Sequence, residues 1–203
     1  MGEAATVDRR IMKTKRALHA SLIELVDERG IEGFTVNDLC ERADINRGTF
    51  YNHYHDKEDV LAAVEDEFFG EVAQYSEKLQ KTSLLDVTQC IARKAPLPAL
   101  VELFAYLRSQ GDFLRAVLGE GGDASFGPRF RDEVCAGFIE SILHKKYLKN
   151  RTSFVSYYIA FYASAYLGVI TKWIESGMNE PDEEMARIAM RLLFIKPGDS
   201  IKL

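Results

Sequence analysis

The sequence predicts an all-α protein, with a compact front of three helices and a larger helical bundle behind it. Three observations carry this. Apolar residues recur at helical spacing along most of the 203 residues. No stretch sustains the period-two alternation of a strand. The interruptions fall where Gly, Pro, Thr, Asn or Asp can stop or cap a helix.

The elements follow in order. Ile11, Leu18, Leu22, Leu25 and Val26 share one face of a first helix over 9–29, which Gly30 stops. Thr35 opens a capping-box-like T-V-N-D with Asp38, starting a short helix over 36–43. After a turn at Asp44 and Ile45, Asn46 is suited to cap a third helix ending near Asn52. Asp56 and Asp59 open a fourth, longer helix over 57–80. Helices over 84–94, 97–109 and 111–119 come next, the first two separated by Pro96 and Pro98. GEGGDASFGP, 119–128, reads as a loop. The last helices are expected at 129–149, 153–176 and 181–195, the final one with Pro181 in its first turn.

Composition narrows the function. No continuous apolar run approaches the roughly 18 residues of a membrane span, and no secretory leader is visible, so a cytoplasmic protein with no membrane partner is expected. Cys40, Cys90 and Cys135 are scattered and odd in number, which fits buried thiols rather than a disulfide framework. The net charge of −5 argues against nucleic acid until its distribution is considered. RRIMKTKR, 9–16, holds five basic side chains and no acid, so a basic start precedes a more acidic body.

The chemistry concentrates in NRGTFYNHYHDKEDVL, 46–61. Two short helices joined by a tight turn form a helix-turn-helix, whose second helix enters the DNA major groove. Phe50 and Tyr54, four apart, face inward. Arg47, Thr49, Tyr51, Asn52 and His53 are left outside, and Gly48 lets the backbone approach DNA closely. Arginine pairs with guanine in bidentate fashion, while Thr, Tyr, His and Lys suit phosphates.

Residues 11–61 resemble the DNA-binding domain of the tetracycline-repressor (TetR) family of bacterial regulators. Thr35, Leu39 and Cys40 match its second helix, Ala43 to Tyr54 its turn and recognition helix, and Lys57 the lysine opening its fourth helix. The resemblance implies a DNA-binding domain over 1–56 and a ligand-binding and dimerisation bundle over 57–203. It implies phosphate contacts from Thr35, Tyr51, His53 and Lys57, and base contacts from Arg47, Gly48, Thr49 and Asn37. Asp44 departs from the pattern, standing where the family has Gly at a position favouring left-handed backbone.

The expected protein is a regulator, a repressor that binds an operator as a homodimer and is released by a small molecule. The alternative is a co-activator that uses the same fold to bind another protein. Ile159, Tyr166, Ile170, Ile188 and Leu192 suit a four-helix dimer interface. An apolar or aromatic effector is expected among Phe104, Phe113, Phe130, Phe138, Tyr158 and Tyr162. His53 and His55 lie on alternate residues, and neither they nor His19 and His144 have Cys or carboxylate at ligand spacing, so no metal or cofactor is expected. No nucleophile–base pair or phosphate loop suggests an enzyme.

Overall fold

A computed structural model describes residues 2–93, 95–143, 149 and 151–193. In order these form α1 (Gly2–Arg29), a 3-10 turn (Ile31–Gly33), α2 (Val36–Arg42), α3 (Arg47–Tyr51), α4 (Lys57–Lys81), α5 (Leu84–Ala92), α6 (Pro98–Ser109) and α7 (Gly111–Leu118). Then follow α8 (Phe126–Phe130), a π turn (Arg131–Cys135), α9 (Ala136–Ile142), α10 (Ser153–Glu175) and α11 (Asp182–Leu192). No strand occurs among the described residues.

Local signals explain most boundaries. Gly30 ends α1 at φ 71, a conformation glycine adopts without side-chain strain. Thr35 and Asp38 close a reciprocal capping box on α2, and Asn46 caps α3 by accepting from the Thr49 amide at 2.7 Å. Ser83 and Asp86 cap α5 in the same reciprocal way, which the sequence reading had not identified.

The boundaries of two later helices need correction. The single helix expected over 129–149 begins earlier, at Phe126, with Gly127 and Pro128 inside its first turn. It then widens into the π turn and stops at Ile142, where Leu143 becomes extended at ψ 139. The remainder of that expected helix falls largely outside the described residues. Pro181 lies before the last helix as its cap residue, rather than in its first turn.

The chain divides into two compact units. The first comprises residues 1–70 and 112–127, and the second 71–111 and 128–203, with α4 running from one into the other. In the first unit, Leu18, Leu22, Leu25 and Val26 on α1, Leu39 and Cys40 on α2, and Phe50 on α3 are buried. Each such large side chain contributes roughly 1.5–3 kcal/mol relative to exposure. Arg42 of α2 reaches back to α1, donating to Glu28 at 2.7 and 2.8 Å and to Glu24 at 3.2 Å. Phe68, Phe69, Phe113 and Phe126 form a ring cluster with centroids 5.3–5.7 Å apart.

In the second unit, α6 packs on α11, and α10 packs on the π turn and α9. Phe104 meets Trp173 edge-on at 5.5 Å, and Phe138 meets Tyr166 at 5.1 Å. The Tyr166 hydroxyl donates to the Ala189 carbonyl, satisfying a buried polar group. Arg108 gathers the turn before α11: it donates to Met178 O, Glu180 O and Asp182, and its guanidinium lies 5.0 Å from the Trp173 ring. That turn requires positive φ at Gly177 and Met178.

The outward register of α10 differs from expectation. Ile159, Tyr166 and Ile170 are buried within the chain, while Ile188 and Leu192 are half-buried. The exposed side instead carries Phe154, Tyr157 and Phe161, each 68–76% exposed. Continuing the same stripe, Ser164, Ala165 and Gly168 are also exposed. Although the chain lacks a continuous apolar run of span length, α10 is long and apolar enough overall to pass as a membrane span on composition alone.

Candidate nucleic-acid interface

The candidate reading surface begins at the α2 cap. The Thr35 hydroxyl donates to Asp38 Oδ2 at 2.6 Å and accepts from the Asp38 amide at 3.3 Å. These bonds hold the Asp38 carboxyl below its ordinary range, chiefly through the Thr35 side chain. Thr35 and Asn37 are both exposed. Between α2 and α3 the backbone turns through Asp44 at φ 52, the left-handed conformation expected at that position. The Ile45 amide closes the turn onto Cys40 O at 3.0 Å.

Along α3 the division of faces agrees with the sequence pattern. Phe50 is wholly buried and Tyr54 is 5% exposed. Arg47, Gly48, Tyr51 and Asn52 are exposed, and Thr49 and His53 are half-buried. Arg47 and Tyr51 are one helical turn apart: Nη2 donates to the Tyr51 hydroxyl at 3.3 Å, and the guanidinium carbon is 5.7 Å from the ring centroid. The two side chains therefore stand together before any DNA arrives. Gly48 has a local role as well, because a Cβ there would sit 3.3 Å from the Asn46 Oδ1 that caps the helix.

Lys57 does not point outward as expected. Its side chain is 13% exposed, and its ammonium donates to Ile31 O at 2.6 Å and Phe34 O at 3.0 Å. It also lies 5.1 Å from the Phe34 ring centroid. In this arrangement Lys57 ties the start of α4 to the turn ahead of α2. The 3-10 turn leaves carbonyls without helical partners, and a lysine opening the next long helix reaches them across the unit.

A second tie was missed in the sequence. His19 on α1 meets the Tyr54 hydroxyl at 2.8 Å through Nε2, and its Nδ1 is 3.5 Å from Glu67 on α4. Burial pushes the His19 ring below its ordinary value, against the opposing pull of Glu67. The signal available was a histidine within the apolar face of the first helix and a tyrosine needing a buried partner. On α1, Arg10, Lys13 and Arg16 are exposed. No group of three potential metal ligands occurs among the described residues. Cys40 and Cys135 are buried, and burial pushes the Cys135 thiol up to about 12.

Of the six rings expected to line an effector site, five lie in the second unit and one in the first. Phe113 belongs to the first unit, against Phe68 and Phe126. Phe104 and Phe138 line a small apolar cavity of about 20 Å³ with Leu100, Leu107 and Tyr166, and Phe130 is fully buried. Tyr158 and Tyr162 pair on α10 with centroids 4.7 Å apart. The cavity has room for about one water molecule.

The comparisons decide the family. Residues 20–64 match the bacterial regulatory proteins of the tetR family, and residues 94–194 match a transcriptional regulator C-terminal region. The chain belongs to the TetR family of transcriptional regulators. It is a TetR-like DNA-binding regulator. A Bacillus subtilis (strain 168) protein, the uncharacterized HTH-type transcriptional regulator YxbF, is 36% identical over 56 residues. That match covers 27% of this chain and 15% of YxbF. Solved structures share the fold. The dihydroxyacetone kinase operon activator DhaS has a TM-score of 0.57 at 18% identity, covering 89% of this chain and 93% of that one. FadR from Bacillus subtilis, solved with stearoyl-CoA, has a TM-score of 0.61 at 14% identity, covering 88% and 96%.

Proposed function

We propose that this TetR-family regulator is a repressor that binds a two-fold operator as a homodimer, without enzymatic activity, and is released by an apolar or aromatic effector. The observation that carries the reading is the division of α3. Its inner side is closed by Phe50 and Tyr54, while Arg47 and Tyr51 stand preassembled on the outside. An exposed Arg with a neighbouring hydroxyl matches a base-edge contact flanked by a phosphate contact. Thr35, Asn37, Thr49, Asn52 and His53 extend the same surface.

The exposed side of α10 supports the dimer. Three rings at 154, 157 and 161 leave a large apolar patch in water, which single soluble chains rarely tolerate. Small residues at 164, 165 and 168 continue the stripe and let a second helix approach closely. A second copy of the chain covers this stripe in the proposed assembly, and such two-fold dimers read half-sites about one DNA turn apart. The effector is placed in the apolar layer of the second unit around Phe104, Phe138 and Tyr166. The roughly 20 Å³ now empty there must widen to admit it. A ligand that binds only the widened arrangement shifts the population toward it.

A mobility-shift titration against the DNA upstream of the gene, with light scattering of the complex, tests the proposal. Two protomers on one duplex are expected. A protein that captures no duplex at any salt, yet retains a protein partner, would favour the co-activator reading. Asp44, a carboxylate in the turn ahead of α3, is the feature that favours that alternative.

A further inference from the structure

The chain leaves the second unit after Gly111, joins the first from Asp112 to Gly127, and returns at Pro128. Within the first unit this excursion meets the helix-turn-helix framework at the turn following α1. The Ile31 amide donates to Gly121 O at 2.8 Å. A Cβ on Gly121 would sit 2.7 Å from Gly30 Cα, and one on Gly30 would sit 3.1 Å from Gly121 Cα and O. Both walls of the contact are backbone, so neither can rotate aside. Gly30 also holds φ 71, which any larger residue resists.

The two sides of this contact are stiff. The loop is wound tightly: the Gly122 amide donates to Gly119 O at 3.0 Å, and a Cβ at Gly122 would meet Val117 O at 2.2 Å. Its end is rooted by Phe126, wholly buried among Phe68, Phe69 and Phe113. The 3-10 turn is gripped by Lys57, which bonds Ile31 O and Phe34 O. Thr35, the cap of α2, follows immediately. Three elements therefore share one turn: the 119–122 loop, the start of α2 and the start of α4.

We propose that the Gly30–Gly121 contact is the joint through which residues 112–127 set the position of the DNA-reading helices. Because the contact is backbone on backbone, a displacement of the loop moves the turn instead of being absorbed by side chains. The same turn carries the α2 cap and the Lys57 anchor, so its movement shifts both. In a dimer this alters the separation of the two recognition helices and leaves each α3 surface intact.

The proposal rests on the operator-binding dimer above, and its test separates the two. Full-length protein is titrated against a duplex with both half-sites and a duplex with one. Gly121→Ala drives a methyl into the joint, and Ile31→Pro places a ring carbon where the N–H···O bond runs. Gly30 has ψ 163, close to the extended value preferred before proline, so the second change leaves that backbone in place. In both variants the advantage of the full operator over the half-site falls by about tenfold, while half-site affinity stays within about twofold. In the unmodified protein, exchange of the Ile31 amide slows several-fold on the full operator but not on non-specific duplex. An unchanged ratio, an equal loss on both duplexes, or an Ile31 amide indifferent to operator would overturn the joint. Wild-type protein that prefers no duplex would refute the operator-binding reading itself.

Discussion

Replacing Lys57 with methionine keeps an aliphatic stem beside Phe34 and deletes the ammonium. In the native unit that ammonium donates to two main-chain carbonyls, at 2.6 and 3.0 Å, from a side chain only 13% exposed. A hydrogen bond from a charged donor contributes about 1.5–3 kcal/mol, and its loss leaves the carbonyls short of a partner. Glu58, 3.8 Å away and 57% exposed, adds little. Methionine recovers some apolar contact, so the net loss is about 2–4 kcal/mol. For a unit of fewer than 100 residues this lowers Tm by about 10–25 °C. Circular dichroism melts, with amide exchange across α2 and α3 to assign the transition, measure it. An unchanged melt would refute the anchoring role. Below the melt, the salt dependence of DNA binding should match wild type, because the ammonium is already committed to carbonyls. A slope reduced by about one unit per subunit would instead restore the phosphate contact that the family resemblance implies.

Three further outcomes are expected. Asp44→Gly relieves a left-handed backbone at φ 52 and removes a carboxylate ahead of α3. It should raise stability by about 1 kcal/mol in urea unfolding and tighten binding to any duplex. Phe161→Glu places a charge in the exposed stripe of α10 and should convert dimer to monomer in light scattering, with the circular dichroism spectrum unchanged. His19 has a ring pKa below its ordinary value because it is buried, so the unfolded chain binds its proton first. Stability should therefore fall as pH drops through the window beginning near 6.5, then level off once the folded ring has also protonated. His19→Gln should remove that slope from pH-dependent thermal unfolding.

The sequence reveals the parts of this fold that depend on neighbours along the chain. Thr35 with Asp38, Asn46, and Gly30 mark their boundaries because a cap is a contact three residues long. The inward turn of Phe50 and Tyr54 follows from helical spacing alone. Contacts between distant segments are not legible in this way. Nothing near Lys57 indicates that its ammonium meets Ile31 and Phe34 across the unit, and nothing near Gly121 indicates Gly30. The π turn at 131–135 is similarly hidden, since one extra residue in a turn barely disturbs an apolar pattern. On α10 both sides are apolar, so periodicity could not tell Ile159 and Tyr166, which pack inward, from Tyr157 and Phe161, which face out.

The most direct measurement of the central claim is selection of bound sequences from a random duplex pool, run in parallel with wild-type protein and Arg47→Ala. The account predicts a two-fold symmetric motif with half-sites about one helical turn apart. Arg47→Ala should lose preference at one base pair in each half-site, worth about 1–3 kcal/mol, and keep the rest of the motif. Enrichment of no sequence by wild type, or an identical motif from Arg47→Ala, would contradict it.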